Sequence, residues 1–459
     1  MIRTARKLVR SPQETLPILA LLLALRGACA LQAADWPHWR GPFFNGATEE
    51  TNLVIRWSRT ENVLWSAPLP GPSAATPIVW GDYVFISSTD EKANALVAMA
   101  FDRRAGKLLW RREVARGSIR RGSLSNLANP SPVVAGDRAV FLYGNGKTLA
   151  FTFGGDKLWE RDLEADYGQF AYLWTYGASP TFYDGRLYYT VLQRDHPVRG
   201  RGRADGRPIE SYLLALDPAT GKTLWRVTRP TKAVEESREA YSTPIPFEGA
   251  GRKEILVVGG DCITGHDAAT GKELWRWGTW NPRRLQHWRL IPSPVAGGGV
   301  ILACAPKRGP IFALKAGGRG VLDDSALAWT TRGRRDITAD VPTPLFYQGD
   351  FFILSDLART LSRIEPRSGR VRWIVKTPGR HKFEASPTGA DGRLFLMNFR
   401  GETAILDAAT GKTLALIPMG DKGDDKTRSS IAVARGMIFI RTNRRLYCVG
   451  RPEQEQKPR

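Results

Sequence analysis

Apolar residues along this chain come in short runs, each cut by a polar turn instead of continuing at helical spacing. Around Leu216 the pattern reads apolar (SYLLAL, 211–216), polar (DPATGK, 217–222), apolar (TLW, 223–225). The Asp217 carboxylate can accept hydrogen bonds from backbone N–H groups ahead of it, which nucleates a turn. Gly221 can take the left-handed conformation that closes a type I turn with a bulge. The stretch therefore predicts a tight hairpin, with one strand entering at Leu214 and one leaving at Leu224.

The same phrase recurs as HDAATGKELW (266–275) and LDAATGKTLA (406–415). Measured by the offset from Gly221 to Trp225, it also joins Gly106 to Trp110, Gly155 to Trp159, Gly271 to Trp275 and Gly369 to Trp373. Gly411 leads to Ala415, a decayed copy; Trp329 ends a looser version with an insertion in the turn; Trp65 ends an orphan that lacks its first half. A second phrase alternates with the first: Ser or Thr, Pro, strand, turn, strand, as in SPVVAGDRAVFLYG (131–144) and TPLFYQGDFFILSD (343–356). Each unit thus holds four strands.

Four-stranded units repeating every several tens of residues predict an all-β fold, a β-propeller. One small twisted sheet cannot bury both faces alone, and ring closure solves this for every unit. The repeated tryptophans (Trp65, Trp110, Trp159, Trp225, Trp275, Trp329 and Trp373) are expected to pack between neighbouring blades. The C-terminal copy ends at RRLYCVG (444–450) with no Asp–Gly turn after it, and NVLWS near residue 65 is an outer strand without a blade. Joined, these make an eighth blade from both chain ends. The repeats run from 61 to 450 as one eight-bladed domain, preceded by an extended arm at 31–60 and followed by a disordered tail at 451–459.

Residues 1–30 carry a basic start (Arg3, Arg6, Lys7, Arg10), an apolar core from Leu16 to Leu25 and a small-residue site at Ala28-Cys29-Ala30. That order predicts a secretory signal peptide, with an apolar run too short to span a bilayer. The chain is then periplasmic or secreted, with no transmembrane span. Cys262, Cys304 and Cys448 remain, in strand-like contexts that suit small core side chains. The formal charge is +22; residues 1–30 hold five basic side chains and one acidic, so the remainder keeps +18. Such a field favours anionic partners. A secretory signal leads away from nucleic acid, and no nucleic-acid partner is expected.

In a propeller the Asp–Gly turns share one face, and the segments joining blades share the other. The second face carries the variety, and function concentrates on loops held by rigid scaffolds. The candidate ligand-binding face brings together Tyr172, Trp174 and Tyr176, then Arg283, Arg284, His287 and Trp288, then Arg334, Arg335, His381 and Lys382. Aromatic rings beside guanidinium groups suit stacking and bidentate contacts to anionic groups. No metal site is expected: the five histidines are scattered, and H-E-x-x-H and C-x-x-C are both missing. G-x-S-x-G is missing too, and no catalytic residue is assigned.

With units of this form the chain resembles the PQQ-like propeller repeat family, on the Asp-x-x-Thr-Gly-Lys-x-Leu-Trp phrase at 217–225 and 267–275. DWPHWRGPFFNG (35–46) is similar to a segment of a secreted bacterial branch, and reads here as an arm packing Trp36 and Trp39 on the propeller. The resemblance implies one of two functions. Quinoprotein dehydrogenases of the family bind pyrroloquinoline quinone and calcium at the ring's centre and typically carry adjacent cysteines, which this chain lacks. The propeller subunit of the outer-membrane assembly machinery binds no cofactor and holds proteins. The expectation is a monomeric, non-catalytic, cofactor-free scaffold that binds an envelope protein. The alternatives are a quinoprotein oxidoreductase and a binder of acidic glycans or other polyanions.

Overall fold

The computed structural model of the chain describes Met1 and residues 34–452, apart from 118, 120–125 and 279. The stretch read as a signal peptide lies outside the described residues but for Met1, as does the tail from 453 onward. Among the described residues the regular secondary structure is almost wholly strand. Helix is confined to Leu163–Tyr167 and two short 3-10 turns, Glu235–Arg238 and Asp324–Ala326.

Eight antiparallel sheets follow one another along the chain. Blades 1 to 7 occupy 78–116, 133–162, 181–228, 245–277, 295–330, 345–376 and 388–418. Blade 8 takes three strands from 432–449 and its outer strand from Val63–Pro68, with Trp65 opposite Cys448 and Ala67 opposite Leu446. The expected ring of eight blades, closed by pairing the two ends of the repeat region, is the observed architecture.

The middle strands are buried along all or nearly all of their length, as in Tyr212–Leu216 and in Arg138–Leu142 after its first residue, because neighbouring blades cover both faces. Outer strands alternate instead: Val371–Lys376 places every second side chain in solvent. The core therefore lies in the seams between blades.

The repeated phrase builds these seams. Asp217 accepts from the Thr220 N–H (2.8 Å) and hydroxyl (2.9 Å), while the Gly221 N–H donates to the Asp217 carbonyl (2.8 Å). Asp267 and Asp407 repeat this arrangement, and in blade 6 Glu365 replaces the Asp. Gly221 sits at φ +69°, and a Cβ on it would come within 2.8 Å of the Trp159 ring of the blade before. The contact recurs between Trp65 and Gly106, Trp110 and Gly155, Trp225 and Gly271, Trp329 and Gly369, and Trp373 and Gly411. Each tryptophan lies over the turn glycine of the following blade. Four of their indole N–H groups donate to a backbone carbonyl of that turn, as Trp159 does to Pro218 at 2.9 Å.

This explains the two irregular copies. Ala415 belongs to blade 7, and blade 8 offers no such turn, because its third and outer strands come from opposite ends of the repeat region. Trp275 faces blade 5, whose turn holds the insertion, and donates to Glu254 Oε2 within its own blade (2.7 Å). The insertion is more than a longer turn. Gly320–Leu322 crosses to blade 4 and pairs in parallel with Trp275–Trp277, giving that blade a fifth strand.

The segment from Ala34 lines the axis of the ring. Trp36 is fully buried and exchanges two hydrogen bonds with Val79 of blade 1, and the Pro37 carbonyl accepts from Val134 of blade 2. Further on, the Asn45 carbonyl accepts from Phe346 of blade 6, and Gly46 and Thr48 bond Gly389 of blade 7. Arg40, also buried, donates to the carbonyls of Pro344 (2.9 Å) and Pro387 (3.2 Å). Burial without a carboxylate partner pulls its pKa down to about 9. The segment thus takes up backbone groups on the inner strands of blades 1, 2, 6 and 7 and on the turn that follows the inner strand of blade 8.

Candidate functional site

Each blade begins with Ser or Thr followed, in seven of eight blades, by Pro, and the purpose of the hydroxyl is visible around the axis. The Thr76 N–H donates to the Ser131 hydroxyl (2.9 Å), Ser131 N–H to Ser179 (3.0 Å), and Ser179 N–H to Thr243 (3.0 Å). Thr243 continues to Ser293 (2.8 Å), Ser293 to Thr343 (2.9 Å) and Thr343 to Ser386 (3.0 Å). Proline removes the next backbone donor and fixes the chain as the strand begins. The result is an arc of six side-chain-to-backbone bonds that links the inner strands of blades 1 to 7, and at blade 8 the Ser429 hydroxyl donates instead to the Ala75 carbonyl (2.8 Å).

Directly above this arc, on the face of the inter-blade segments, lies a cavity of about 390 Å³. The residue two positions before each Ser or Thr lines it: Ala74, Asn129, Gly177, Tyr241, Ile291, Val341, Glu384 and Arg428. Every blade contributes one. Trp174, Thr175, Arg289, Asp340 and Lys382 complete the walls, and Trp39 reaches in from the axial segment.

The charged side chains here are paired. Arg289 meets Asp340 through two contacts, 3.1 and 3.4 Å. Lys382 Nζ lies 2.6 Å from Glu384 and 3.1 Å from Asp356, and Arg428 Nε donates to the other Glu384 oxygen (2.6 Å). Burial works against the Lys382 ammonium, but Glu384 and Asp356 outweigh it and hold its pKa up. Burial raises the pKa of Asp356, behind the wall. Tyr241 donates to the fully buried Glu239 (2.6 Å), whose pKa burial also raises.

Of the expected face, Trp174 and Lys382 line this cavity. Tyr172 and Tyr176 do not line it. Both are buried, Tyr172 accepting from the Leu192 N–H and Tyr176 donating to the Thr190 carbonyl (2.9 Å each). An aromatic cluster in a connecting segment served here as packing, with Phe170 against Tyr176 at 5.1 Å. Arg283, Arg284, Arg335 and His381 are exposed. His287 is exposed beside Glu236 (3.8 Å), Trp288 packs on the blade 3–4–5 core, and Arg334 pairs with Asp336 (2.8 Å). The sequence reading missed Trp39, Tyr241, Glu384 and Arg428. Counting two residues back from each Ser/Thr-Pro would have found Tyr241 and Glu384, and from the Pro-less Ser430 of blade 8 also Arg428.

A family model described as "Outer membrane protein assembly factor BamB" matches residues 46–189 and 262–457. The chain belongs to this PQQ-like propeller family. No curated protein matches its sequence significantly. Among solved structures it is similar to the quinohemoprotein alcohol dehydrogenase from Comamonas testosteroni, with a TM-score of 0.63 and 14% identity over 95% of this chain and 83% of that one. BamB from Moraxella catarrhalis gives 0.55 and 12%, over 84% and 98%. A europium-containing methanol dehydrogenase gives 0.62 and 10%, over 92% and 91%. At these identities the likeness is one of fold.

The dehydrogenase branch raises the question of calcium. Among the described residues no group of three or more His, Cys, Asp or Glu side chains converges to hold a metal ion. The two carboxylates on the cavity wall, Asp340 and Glu384, are both engaged by cations, so this donor set does not fit calcium, which needs six or more oxygens. Cys262, Cys304 and Cys448 are buried and unbridged, and burial pushes the Cys304 thiol up to about 12. No helix among the described residues is long and apolar enough to cross a membrane.

Proposed function

We propose that this chain is a non-catalytic scaffold of the cell envelope that binds a protein partner through the face of its inter-blade segments. The observation that carries the reading is the exposure of Arg283, Arg284, His287, Arg334, Arg335 and His381 on segments that join rigidly packed blades. Rigid presentation of guanidinium and imidazole groups lowers the ordering cost of binding. Membership of a family named for outer-membrane protein assembly supports the same reading.

The test is capture of partners from native envelope extract by the full chain and by its Arg334→Glu, Arg335→Glu double variant, washed at low and high salt. A defined protein retained by the parent at high salt and lost by the variant supports the scaffold. Acidic polymer that washes away with salt favours instead a polyanion binder driven by the +22 charge. Retention of nothing rejects both. The quinoprotein alternative draws on the dehydrogenase neighbours; a rise in melting temperature with quinone and calcium together would revive it.

A further inference from the structure

The central cavity combines features that a protein-docking rim does not require. Trp174, Tyr241 and Trp39 bring aromatic rings to it, all half-buried. Its three cations are each engaged by a carboxylate, so an anion entering would meet negative charge beside every positive group. An apolar ligand would strip water from those pairs and return nothing. The paired groups still carry unused directional capacity: a guanidinium has five N–H donors and a carboxylate about four lone-pair sites. Thr175, 3% exposed and on the cavity wall, has a hydroxyl with no partner among the described residues.

A ligand suited to this wall has one apolar face to lie on a ring and adjacent hydroxyls that both donate and accept. We infer that the cavity is a binding site for an uncharged saccharide, with a pyranose stacked on an aromatic wall and vicinal hydroxyls on the Arg289–Asp340 pair and Thr175. The C–H groups of a pyranose face are weak donors to a π surface, and a guanidinium–carboxylate pair presents donor and acceptor side by side. A volume of about 390 Å³ is at the small end for ligand sites, of a size with a mono- or disaccharide. The sugar is either free or the neutral end of a polymer. This inference is independent of the scaffold reading, since the rim residues of that reading lie outside the cavity.

Isothermal titration of the full chain with cellobiose, maltose and N,N′-diacetylchitobiose tests it, with digalacturonate as the charged control. At least one neutral disaccharide should saturate in the millimolar range or tighter. Trp174→Ala and Asp340→Asn should each weaken it by about tenfold or more, and Lys157→Ala on the outer strand of blade 2 should leave it unchanged. Asp340→Asn keeps the shape of the side chain and carries the test if Trp174→Ala does not fold. Repeating the titration with a longer oligosaccharide of the same unit separates the two sources, since tighter binding marks a polymer end and equal binding a free sugar. Failure of every neutral disaccharide to saturate overturns the proposal. So does full affinity in both cavity variants, or a preference for digalacturonate that salt abolishes.

Discussion

The two faces of the ring obey different rules. On the turn face one contact is made six times, an indole over the turn glycine of the next blade. On the opposite face no two connecting segments are alike, and the eight residues two before the blade-opening Ser or Thr are all different in kind: Ala, Asn, Gly, Tyr, Ile, Val, Glu and Arg. Repetition marks what every blade needs in order to pack. Variation marks where the chain has been free to acquire a preference. Stability should therefore be sensitive on the first face and tolerant on the second.

The largest effect should come from removing residues 61–66, which strips the outer strand from blade 8 and bares an edge. Circular dichroism and gel filtration should find an unfolded or aggregated protein. A deletion as stable as the parent would break the closure argument. Next is Gly221→Ala, where the left-handed backbone and the Trp159 ring at 2.8 Å act together. A loss of about 2–4 kcal/mol in denaturant titration is expected. Gly185, at φ +73° with nothing within 4 Å, is the control and should lose only about 1 kcal/mol.

The axial segment adds a pH dependence. Burial, with Arg40 beside it, pushes His38 down to about 3. A base depressed in the fold is neutral there while the unfolded chain binds a proton below its ordinary 6.5. Its contribution is thus intact above pH 6.5 and shrinks as pH falls toward the folded value. The melting temperature should drop between pH 6.5 and 4, with His38 accounting for up to about 3 kcal/mol at pH 4. His38→Phe, which keeps the stack on Phe44 at 3.9 Å, should remove that share of the drop and leave the part due to His266, which burial lowers to about 4. The smallest effect belongs to Arg334→Ala on the loop rim, whose exposed pair with Asp336 should shift stability by no more than about 0.5 kcal/mol.

What could be read from the chain divides along the same line. The hairpin phrase, its count and the blade shared between both ends of the repeats follow from local rules written many times over. The fifth strand of blade 4 could not be read, because Gly320–Leu322 is three residues long and pairs with another blade. The path of Trp36 to Thr48 along the axis was equally hidden, since its bonds reach inner strands up to hundreds of residues away. Tyr172 and Tyr176 could be read either way because aromatic residues crowd into cores and binding faces for the same reason, large apolar area with a polar tip. Only the periodic position of Tyr241, Glu384 and Arg428 separates cavity from packing, and that register is defined by the blade-opening Ser or Thr rather than by residue type.

The hydroxyl arc gives this protein a way to change without risk. Because each link pairs a side-chain oxygen with a neighbouring backbone N–H, it fixes the position two residues upstream whatever occupies that place. A mutation there alters the cavity wall and leaves both the arc and the distant indole contacts as they were. Lineages of such chains can therefore diverge in what they recognise while inheriting the same body. Eight positions, of which only Glu384 and Arg428 are joined to each other by an ion pair, form a large vocabulary open to selection almost one letter at a time.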